Sequence, residues 1–589
     1  MILVDPQKIA AYTQAGWWGE RTLWDLFCEH LRLKPQAEAV VDACNRGDFA
    51  HGQPRRLSWA ELAREVDRMS ELLLDLGLAR DDVLLAQMPN SVEQFVVYLS
   101  CARLGLLLSP VPIQYREHEL THILKLTQAR AVVTFAHIGP PGKAQASAAM
   151  WLALQQEHRH LNHVLCWGPD VPQGALSIES LWPAQGDQQR LRQAQERAAL
   201  SANDVFTICW TSGTEASPKG VPRSHNEWLV VTPSIIEAAQ LQPGARLLNP
   251  FPLINMAGLS TAFATWLALG ATVVQHQPFS LPVFLEQLRT EKIDYTVAPP
   301  AILNTLLQHE EMLEGIDFKR LSRIGSGSAP LSQWMVQGFE ARHGVRIVNY
   351  FGSNEGAALS SSDLDVPDPA LRAQYFPRAG VEGHQWRIST TRKIRTRLVD
   401  LQSGEDILEN GRPGELRFSG PTVFSGYFRA AELNQRAFDA QGYYCTGDLF
   451  EIAGERQQYY RYVGRSKDLV IRGGVNISSE EIENLLIACP GVQDVAVVAV
   501  PDAILGEKLC ACIVARAGSK PSLADLQDFL RNERKVAVYK LPEYLLPLDS
   551  LPRNAVGKIL KRELRERARE LRERARAHGL GDPHQEISV

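Results

Sequence analysis

The feature that most constrains the fold of this chain is a repeated alternation of short apolar strands with helical segments. Residues 83–87 and 106–111 form apolar runs of strand length, and the helical pattern of residues 92–105 lies between them. A β-branched and aromatic run covers residues 205–210, and the alternation continues to about residue 300. Strands that alternate with helices usually pair in parallel, since each helix carries the chain back to start the next strand in the same direction. We therefore expect an α/β fold built on mainly parallel, helix-covered sheets.

Local signals predict where some of these elements begin and end. Ser58 is followed at capping-box spacing by Glu61, and Gly77 ends the apolar periodicity, so we expect a helix over residues 59–76. Leucines at helical spacing predict a docking helix within residues 17–30. Weak periodicity is typical of linkers and irregular insertions, which we expect over residues 139–150, 183–202 and 361–378.

The pattern changes in the last third of the chain, which predicts a second domain. From about residue 380, short alternating strands predict a small β-rich subdomain that completes a large N-terminal domain. Beyond residue 465 the pattern becomes a compact α+β unit, which we expect to be mobile. We place the domains at residues 1–465 and 466–589. The strands and helices predicted here cover residues 394–398, 414–418, 459–463, 479–488, 495–500, 522–533 and 561–577.

Composition narrows the class of protein. The 589 residues carry a net charge of −5, which gives no global attraction to nucleic acid. The last helix has a balanced content of Arg and Glu, which favours a solvated or partner-packed helix over a nucleic-acid arm. No run of 18 uncharged apolar residues predicts a membrane span, and the N-terminal residues lack a signal-peptide pattern. Nine scattered cysteines suggest reduced thiols, so we expect a cytoplasmic protein.

Residues 211–220, T-S-G-T-E-A-S-P-K-G, follow the strand at 205–210 and predict a polyphosphate site. Small residues let backbone N–H groups approach phosphate oxygens, hydroxyls donate directly, and a lysine adds a mobile positive charge. The order of a P-loop is absent. Taken alone, this composition is equally typical of a surface turn rich in Ser and Gly.

The same stretch resembles the phosphate-binding loop of the adenylate-forming superfamily, which includes acyl-CoA synthetases, aryl-acid and amino-acid adenylation enzymes, and luciferases. It matches the pattern T-S-G-[ST]-T-G-x-P-K-G except at Glu215 and Ala216. The resemblance implies that Thr211 contributes to catalysis. It also implies that the nucleotide phosphates are bound by Thr211, Ser212, Gly213, Thr214 and Lys219.

Residues 349–356, N-Y-F-G-S-N-E-G, resemble the family's Y-G-x-T-E stretch. The resemblance implies that Phe351, with Tyr350 and Gly352 beside it, contacts the adenine. Asn354 replaces the threonine that helps to bind the α-phosphate, and Glu355 is implied as a catalytic residue that holds Mg²⁺ near the phosphates. A hard carboxylate oxygen suits Mg²⁺. Outside this context, a glutamate after Gly, Ser and Asn is usually a solvated loop carboxylate.

Two further stretches are expected to line the adenine and acid sites. Residues 325–330 resemble a strand end beside the adenine, which implies nucleotide contacts for Gly327 and Ser328, while dinucleotide binding is excluded because G-x-G-x-x-G is incomplete. Residues 250–259 match a stretch that normally carries a histidine where this chain has Asn255, which favours a ring-bearing acid. No aspartate occurs between 249 and 266 to pair an amino acid's ammonium. The predicted acid-binding residues are Asn255, Met256, Gly258 and Ser326.

The C-terminal third carries the family's remaining motifs. Asp448, in Y-C-T-G-D-L, is implied to accept hydrogen bonds from both ribose hydroxyls, and Arg465 to contact the ribose or phosphates. Lys467 falls where the family's domains pivot, and Lys558, in P-R-N-A-V-G-K, corresponds to the adenylation lysine. In the stretch R-G-G-V-N, two residues are implied to lie against a pantetheine arm, namely Gly473 and Gly474.

Together these motifs predict an ATP-dependent carboxylic acid ligase. It would form an acyl-AMP with Mg²⁺ and pass the acyl group to coenzyme A, as an acyl-CoA synthetase for an aromatic, alicyclic or medium-chain acid. The alternative acceptor is the phosphopantetheine of a separate carrier protein, as in siderophore metabolism. A luciferase-like oxygenase shares these motifs and is one alternative. A nucleotide-binding regulator that has lost catalysis is another: the altered loop at Glu215 and Ala216 favours it, and the presence of Glu355, Asp448 and Lys558 counts against it. Whether the chain forms a homodimer is left open.

Overall fold

The chain folds into two compact units. The computed structural model describes residues 1–211, 218–472, 475–502, 505–534, 536–554 and 558–577. The first unit comprises Met1–Thr396 and Phe418–Tyr444, and the second comprises Arg397–Arg417 and Cys445 onward. Residues 445–465 belong to the second unit because their strands share a sheet with residues from 397–417. The expected division into a domain of residues 1–465 and a domain of residues 466–589 stays a prediction.

The strands are numbered in chain order. In the first half of the chain they are β1 (Glu38–Val41), β2 (Arg56–Ser58), β3 (Val83–Ala86), β4 (Leu107–Pro110), β5 (Ala131–Phe135), β6 (His163–Trp167), β7 (Leu176–Ser177), β8 (Val205–Thr211), β9 (Lys219–Ser224), β10 (Arg246–Asn249), β11 (Thr272–Gln275) and β12 (Tyr295–Val297). The remaining strands are β13 (Arg323–Gly327), β14 (Arg346–Gly352), β15 (Ala358–Ser361), β16 (Tyr375–Pro377), β17 (Arg395–Val399), β18 (Gly414–Ser419), β19 (Tyr444–Ala453), β20 (Tyr459–Arg465), β21 (Leu469–Arg472), β22 (Val475–Ser478), β23 (Val492–Asp502), β24 (Gly506–Ala515) and β25 (Tyr544–Pro547).

The helices are numbered in the same way. Those before residue 230 are α1 (Pro6–Gln14), α2 (Leu23–Leu33), α3 (Trp59–Asp75), α4 (Val92–Leu104), α5 (Glu117–Thr127), α6 (Ser147–Glu157), α7 (Ile178–Leu181), α8 (Gln188–Ala198) and α9 (His225–Leu229). The later helices are α10 (Thr232–Ala239), α11 (Met256–Gly258), α12 (Thr265–Leu269), α13 (Leu281–Thr290), α14 (Pro300–Gln308), α15 (Gln333–His343), α16 (Pro369–Gln374), α17 (Ala431–Ala437), α18 (Ser479–Leu486), α19 (Leu523–Asp528) and α20 (Lys561–Ala577).

Two large sheets form the first unit. One has the strand order β15-β14-β13-β12-β10-β11-β1-β2 and the other β7-β6-β5-β3-β4-β8-β9. Their inner strands pair in parallel, and antiparallel pairs occur at β1–β2, β14–β15 and β8–β9. Helix α4 is buried along its whole length and packs in a core that contains residues of both sheets. The predicted α/β class with mainly parallel, helix-covered sheets is confirmed.

The second unit is smaller and β-rich at its start. Strands β17, β18, β19 and β20 lie side by side in that order, as the predicted short alternating strands require. A second sheet has the order β22-β21-β24-β23, with β25 paired to β24. Helices α18 and α19 pack on this sheet through a separate apolar core. None of the described helices is long and apolar enough to cross a membrane.

The structure confirms most of the elements predicted from local signals. The linkers and the irregular insertion predicted from weak periodicity are wrong. The capping box at Ser58 and Glu61 forms as predicted at the start of α3. The expected linkers contain helices α6 and α8, and the expected irregular insertion contains α16 and β16. Helix α8 has two buried residues, Leu191 and Ala198, so its sequence carries almost no apolar periodicity. The docking helix begins at Leu23, later than expected, because Thr22 caps it.

Candidate active site

The predicted phosphate loop begins at the carboxyl end of a buried strand. Thr211 is the last residue of β8 and is paired with Lys219, the first residue of β9, in an antiparallel register. Thr211 and Lys219 therefore flank the two ends of the loop. The predicted phosphate contacts of Ser212, Gly213 and Thr214 stay predictions, because these residues lie outside the described part of the chain.

The carboxyl ends of β13 and β14 form a second part of the site. Gly327 is paired with Tyr350, and a Cβ atom at Gly327 would lie 2.3 Å from the Tyr350 carbonyl oxygen. The strands can therefore approach this closely only with glycine at this position. The Ser326 hydroxyl donates to the Ala298 carbonyl at 2.8 Å, and Ser328 has a φ of 69° that turns the chain away from the strand.

One cavity in the first unit brings together residues predicted for the adenine and for the acid. The side chains that line it are aliphatic, aromatic or hydroxyl-bearing, and none of these lining side chains is acidic or basic. The α10 helix and the 3-10 turn at Ser389–Arg392 contribute walls that the sequence did not predict. The predicted site residues that line the cavity are Met256, Ser326, Gly327, Ser328, Tyr350, Phe351 and Gly352.

Two predicted acid-binding residues, Asn255 and Gly258, have structural contacts instead of a place in the cavity lining. The Asn255 side chain accepts a hydrogen bond from the Gly258 backbone N–H at 3.2 Å and caps α11. A Cβ atom at Gly258 would lie 2.1 Å from the Pro252 carbonyl oxygen, so only glycine fits this packing. Acid contacts by either residue stay predictions.

Asn354 connects α11, which begins at the predicted acid-binding residue Met256, to β8, the strand that precedes the phosphate loop. Its Oδ1 accepts a hydrogen bond from the Met256 backbone N–H at 2.7 Å, and its Nδ2 donates to the Trp210 carbonyl at 3.3 Å. Its own carbonyl accepts from the fully buried Arg223 guanidinium at 3.1 Å. Asn354 therefore holds the segment before Glu355 against both neighbouring elements.

Glu355 and Lys219 contact the same tyrosine, Tyr427. The Tyr427 hydroxyl donates to Glu355 Oε1 at 2.9 Å. The Lys219 ammonium lies 5.3 Å from the centre of the Tyr427 ring, within the range of a cation–π contact. The arrangement places a buried carboxylate and an ammonium on one aromatic side chain.

The surroundings of Glu355 fit a magnesium ion. Magnesium is usually held by one or two carboxylates together with substrate phosphate oxygens. Glu355 offers a hard carboxylate ligand, and Tyr427 connects it to Lys219, which flanks the predicted phosphate loop. The described residues contain no cluster of three or more metal-ligating side chains. Glu355 is therefore the residue that would hold Mg²⁺.

In the second unit, Asp448 and Arg465 form an ion pair. Arg465 Nε lies 3.0 Å from Asp448 Oδ1, and the two residues face each other across β19 and β20. Burial alone would lower the pKa of Arg465, but Asp448, Tyr462 and Asp468 together outweigh burial and raise this pKa above its ordinary value. The Thr446 hydroxyl accepts from the Asp448 backbone N–H at 3.0 Å, and Gly447 has a φ of 68°, so the T-G-D sequence is a local irregularity within β19.

Lys558 lies among ionisable groups of the same unit. Although its side chain keeps some exposure, desolvation and the Arg465 charge lower the pKa of Lys558. Burial raises the pKa of Glu480, on α18, to about 7, and Glu483 and Asp448 add to this effect. The predicted role of Lys558 in adenylation stays a prediction.

Three predicted positions have no described side-chain geometry. Gly473 and Gly474 lie outside the described residues, so their predicted pantetheine contacts stay predictions. The Lys467 backbone lies in the 3-10 turn Ser466–Asp468, while its side chain is outside the described part. The pivot at Lys467 also stays a prediction.

Sequence reasoning missed the residues that position Glu355. Tyr427 is 72 residues from Glu355, and Arg223 is 131 residues from Asn354, so no local spacing connects them. The one available signal for Arg223 is its place shortly after the phosphate-loop lysine, where an arginine in a short apolar strand calls for buried partners.

Two family models match most of the chain. The model described as AMP-binding enzyme matches residues 27–428, and the model described as AMP-binding enzyme C-terminal domain matches residues 481–558. The two matched regions are consistent with the N- and C-terminal motifs described above.

Curated relatives match over nearly their whole length. A 2-hydroxy-7-methoxy-5-methyl-1-naphthoate–CoA ligase of Streptomyces carzinostaticus is 31% identical, with 96% of each chain covered. A medium-chain fatty-acid–CoA ligase of Escherichia coli is 30% identical over 95% of this chain and 93% of its own. A vibriobactin-specific 2,3-dihydroxybenzoate-AMP ligase of Vibrio cholerae is 28% identical over 95% of this chain and 97% of its own.

Among solved structures, ATP-bound MatB from Rhodopseudomonas palustris has a similar fold. Its TM-score is 0.73 at 26% identity, and the alignment covers 94% of this chain and 100% of MatB.

Proposed function

The chain belongs to the family of AMP-binding enzymes and is an AMP-forming acid–thiol ligase; from this premise we propose that it activates a carboxylic acid with a neutral, apolar body and transfers it to coenzyme A. The observation that carries the proposal is the cavity whose lining side chains include no acidic or basic group. An ammonium or a second carboxylate on the substrate would lose its hydration there without gaining an ionic partner among the described lining residues. The acid is therefore expected to carry one charge, that of the reacting carboxylate.

The proposed reaction has two steps. In the first, a carboxylate oxygen attacks the α-phosphorus of ATP, the bond to pyrophosphate breaks, and acyl-AMP forms. In the second, a thiolate attacks the acyl carbon, AMP leaves, and a thioester forms. Neither step needs a covalent intermediate on the protein, so the residues act by alignment and charge stabilisation.

Several of the predicted residues have proposed roles in these two steps. Thr211 and Lys219 bind the phosphates, Asp448 and Arg465 bind the ribose, and Lys558 donates to the developing charge at the α-phosphate. The residues proposed to hold the adenine are Gly327, Ser328, Tyr350, Phe351 and Gly352. When bound at Glu355, Mg²⁺ neutralises phosphate charge.

A panel of acids tests the proposal through acid-dependent ATP–pyrophosphate exchange. We expect exchange with benzoate, 1-naphthoate, 3-phenylpropanoate or octanoate, which cover aromatic and medium-chain bodies. Two matched pairs of acids test the effect of a second charge. L-phenylalanine differs from 3-phenylpropanoate by an ammonium group, and phthalate differs from benzoate by a second carboxylate. We expect kcat/KM about 10²-fold lower or more for the doubly charged member of each pair, because the added charge has no partner in the cavity lining.

The opposite preference would overturn the proposal. Exchange that requires an amino acid or a dicarboxylate would mean that the uncharged cavity is not the acid site. Mass-spectrometric detection of the acyl-CoA in the complete reaction tests the acceptor.

A second candidate acceptor is the phosphopantetheine arm of a separate carrier protein. It is favoured by the similarity to the vibriobactin-specific 2,3-dihydroxybenzoate-AMP ligase, which is an AMP ligase for an aryl acid. The carrier protein would be the acceptor if acyl-AMP accumulates in the presence of free coenzyme A and the acyl group is transferred only to a holo-carrier protein.

A further inference from the structure

Tyr427 contacts two predicted parts of the nucleotide site at once. Its hydroxyl donates to Glu355 Oε1 at 2.9 Å, and its ring faces the Lys219 ammonium at 5.3 Å. Tyr427 is 9% exposed and Glu355 is 7% exposed, so the hydrogen bond is shielded from water. Shielding makes such a bond to a carboxylate stronger than a bond at the surface.

The position of Tyr427 is fixed by its own neighbours. Its backbone N–H donates to Asn434 Oδ1 at 2.6 Å, and Asn434 Nδ2 donates back to the Tyr427 carbonyl at 3.0 Å. Gly426 has a φ of 133°, and a Cβ atom there would lie 2.9 Å from the Asn434 side chain. The ring also packs edge-on against Phe424 at 4.9 Å. The tyrosine therefore holds its orientation independently of Glu355.

The backbone around Glu355 is held by the same segment of chain. The Glu355 carbonyl accepts from the Phe424 backbone N–H at 2.9 Å. The Arg223 guanidinium donates to the Asn354 carbonyl at 3.1 Å and to the Thr422 carbonyl at 3.0 Å. Since the main chain is fixed on both sides, the remaining freedom of Glu355 is the rotation of its side chain.

We propose that Tyr427 is a positioning residue that orients the Glu355 carboxylate for the metal ion and places the Lys219 ammonium at a set distance from it. This inference rests on the proposed function for the identity of the metal–nucleotide ligand. A phenol that donates to Oε1 leaves the charge of the carboxylate intact and leaves Oε2 available to a cation. Partners that orient a metal ligand in this way commonly change metal affinity 10- to 100-fold when they are removed.

Two substitutions separate the two contacts. Tyr427→Phe removes the hydroxyl and keeps the ring beneath Lys219, whereas Tyr427→Leu removes both. The control is Tyr98→Phe, because Tyr98 is fully buried and its hydroxyl donates to the Leu253 carbonyl at 2.7 Å instead of to Glu355. Each phenylalanine variant removes one buried hydroxyl together with its hydrogen bonds, so a general loss of stability would affect both.

The test measures binding of Mn²⁺ by electron paramagnetic resonance in the presence of α,β-methylene-ATP, which does not depend on turnover. We expect the Mn²⁺ affinity to fall about tenfold or more in Tyr427→Phe and to be unchanged in Tyr98→Phe. The affinity for the nucleotide without metal should be retained in Tyr427→Phe and should fall in Tyr427→Leu, because that variant also releases Lys219.

Equal Mn²⁺ affinity in wild type, Tyr427→Phe and Tyr98→Phe would overturn the proposal. An equal loss in both phenylalanine variants would also overturn it, since the effect would then be structural. This result is distinguishable from failure of the proposed function. A wild-type protein that binds Mn²⁺ and nucleotide but activates none of the acids would contradict the proposed function. The binding data for the variants would still decide the role of Tyr427.

Discussion

Asp448 and Arg465 are joined across two antiparallel strands by an ion pair with an Nε–Oδ1 distance of 3.0 Å. These are the two residues for which the sequence predicts contacts with the ribose and phosphates. The pair is largely buried on the Asp448 side, which is 3% exposed. Arg465 therefore helps to fix the orientation of the Asp448 carboxylate, and the contact of this carboxylate with the ribose hydroxyls stays a prediction.

Replacement of this carboxylate should weaken ATP binding. Asp448→Asn loses a charged acceptor and leaves Arg465 without its counter-charge, so we expect the KM for ATP to rise about 10- to 100-fold. The control is Asp406→Asn, because Asp406 pairs with Arg397 at 2.8 Å in the same unit at 45% side-chain exposure. Steady-state kinetics at saturating acid checks the prediction, and an unchanged KM for ATP in Asp448→Asn would contradict the ribose assignment.

Asn255 can be tested for its predicted acid contact separately from its capping bond. Asn255→Ala removes both the cap and the amide, and should lower stability by about 1 kcal/mol. Asn255→Ser keeps a capping oxygen and removes the amide. If Asn255 also touches the acid, both variants should change the ratio of kcat/KM for salicylate and benzoate. A change of this ratio in the alanine variant alone would limit Asn255 to capping α11.

The raised pKa of Glu480 predicts a pH dependence of stability. Burial is the main cause, and the groups that face Glu480 are Asp448, Asp468, Glu483 and Lys561. Since its pKa is about 7 in the folded chain and 4.5 in the reference state, folding favours the protonated form. The unfolded state thus binds fewer protons between these values, and this contribution to stability is lost as the pH rises from about 5 to 8.

Calorimetry at pH 5 and pH 8 checks this dependence. Glu480→Gln cannot ionise, so we expect it to gain stability relative to wild type on going from pH 5 to pH 8, by about 2–3 kcal/mol at most. Glu533→Gln, at an exposed position of the same unit, provides the control. The same difference between Glu480→Gln and wild type at both pH values would contradict the prediction.

Lys558 is expected to act in one half-reaction only. Lys558→Ala should reduce formation of acyl-AMP about 10²- to 10³-fold, because it removes a donor to the developing charge, while supplied acyl-AMP is still converted to thioester. Lys467→Pro, which fixes φ at the predicted pivot, should spare adenylation and slow thioester formation. Lys540→Ala, which removes a lysine paired with Glu481 at 2.7 Å, is the control. Equal loss of both half-reactions in Lys558→Ala would contradict alternation between two arrangements.

The sequence was sufficient wherever a signal was local. The strand predicted at residues 205–210 and the capping box at Ser58 follow from neighbouring residues, and the structure contains both elements. Helix α8 could not be predicted because it buries two residues and is otherwise polar.

The contacts that position Glu355 could not be predicted for another reason. Tyr427 reaches Glu355 from 72 residues away, and its place depends on how the segment after β18 packs. Nothing in the spacing of either residue encodes that contact. The cavity wall from the 3-10 turn at Ser389–Arg392 is a similar case, since it depends on packing against α10.

The central claim is that the acid is activated as an acyl-AMP and then passed to a thiol, and isotope transfer tests it most directly. The enzyme is incubated with ATP, coenzyme A and an acid of the panel labelled with ¹⁸O in both carboxylate oxygens, and the products are analysed by mass spectrometry. Attack on the α-phosphorus followed by cleavage of the acyl C–O bond predicts one ¹⁸O atom in each AMP and none in pyrophosphate. Formation of ADP with ¹⁸O in inorganic phosphate would contradict the account.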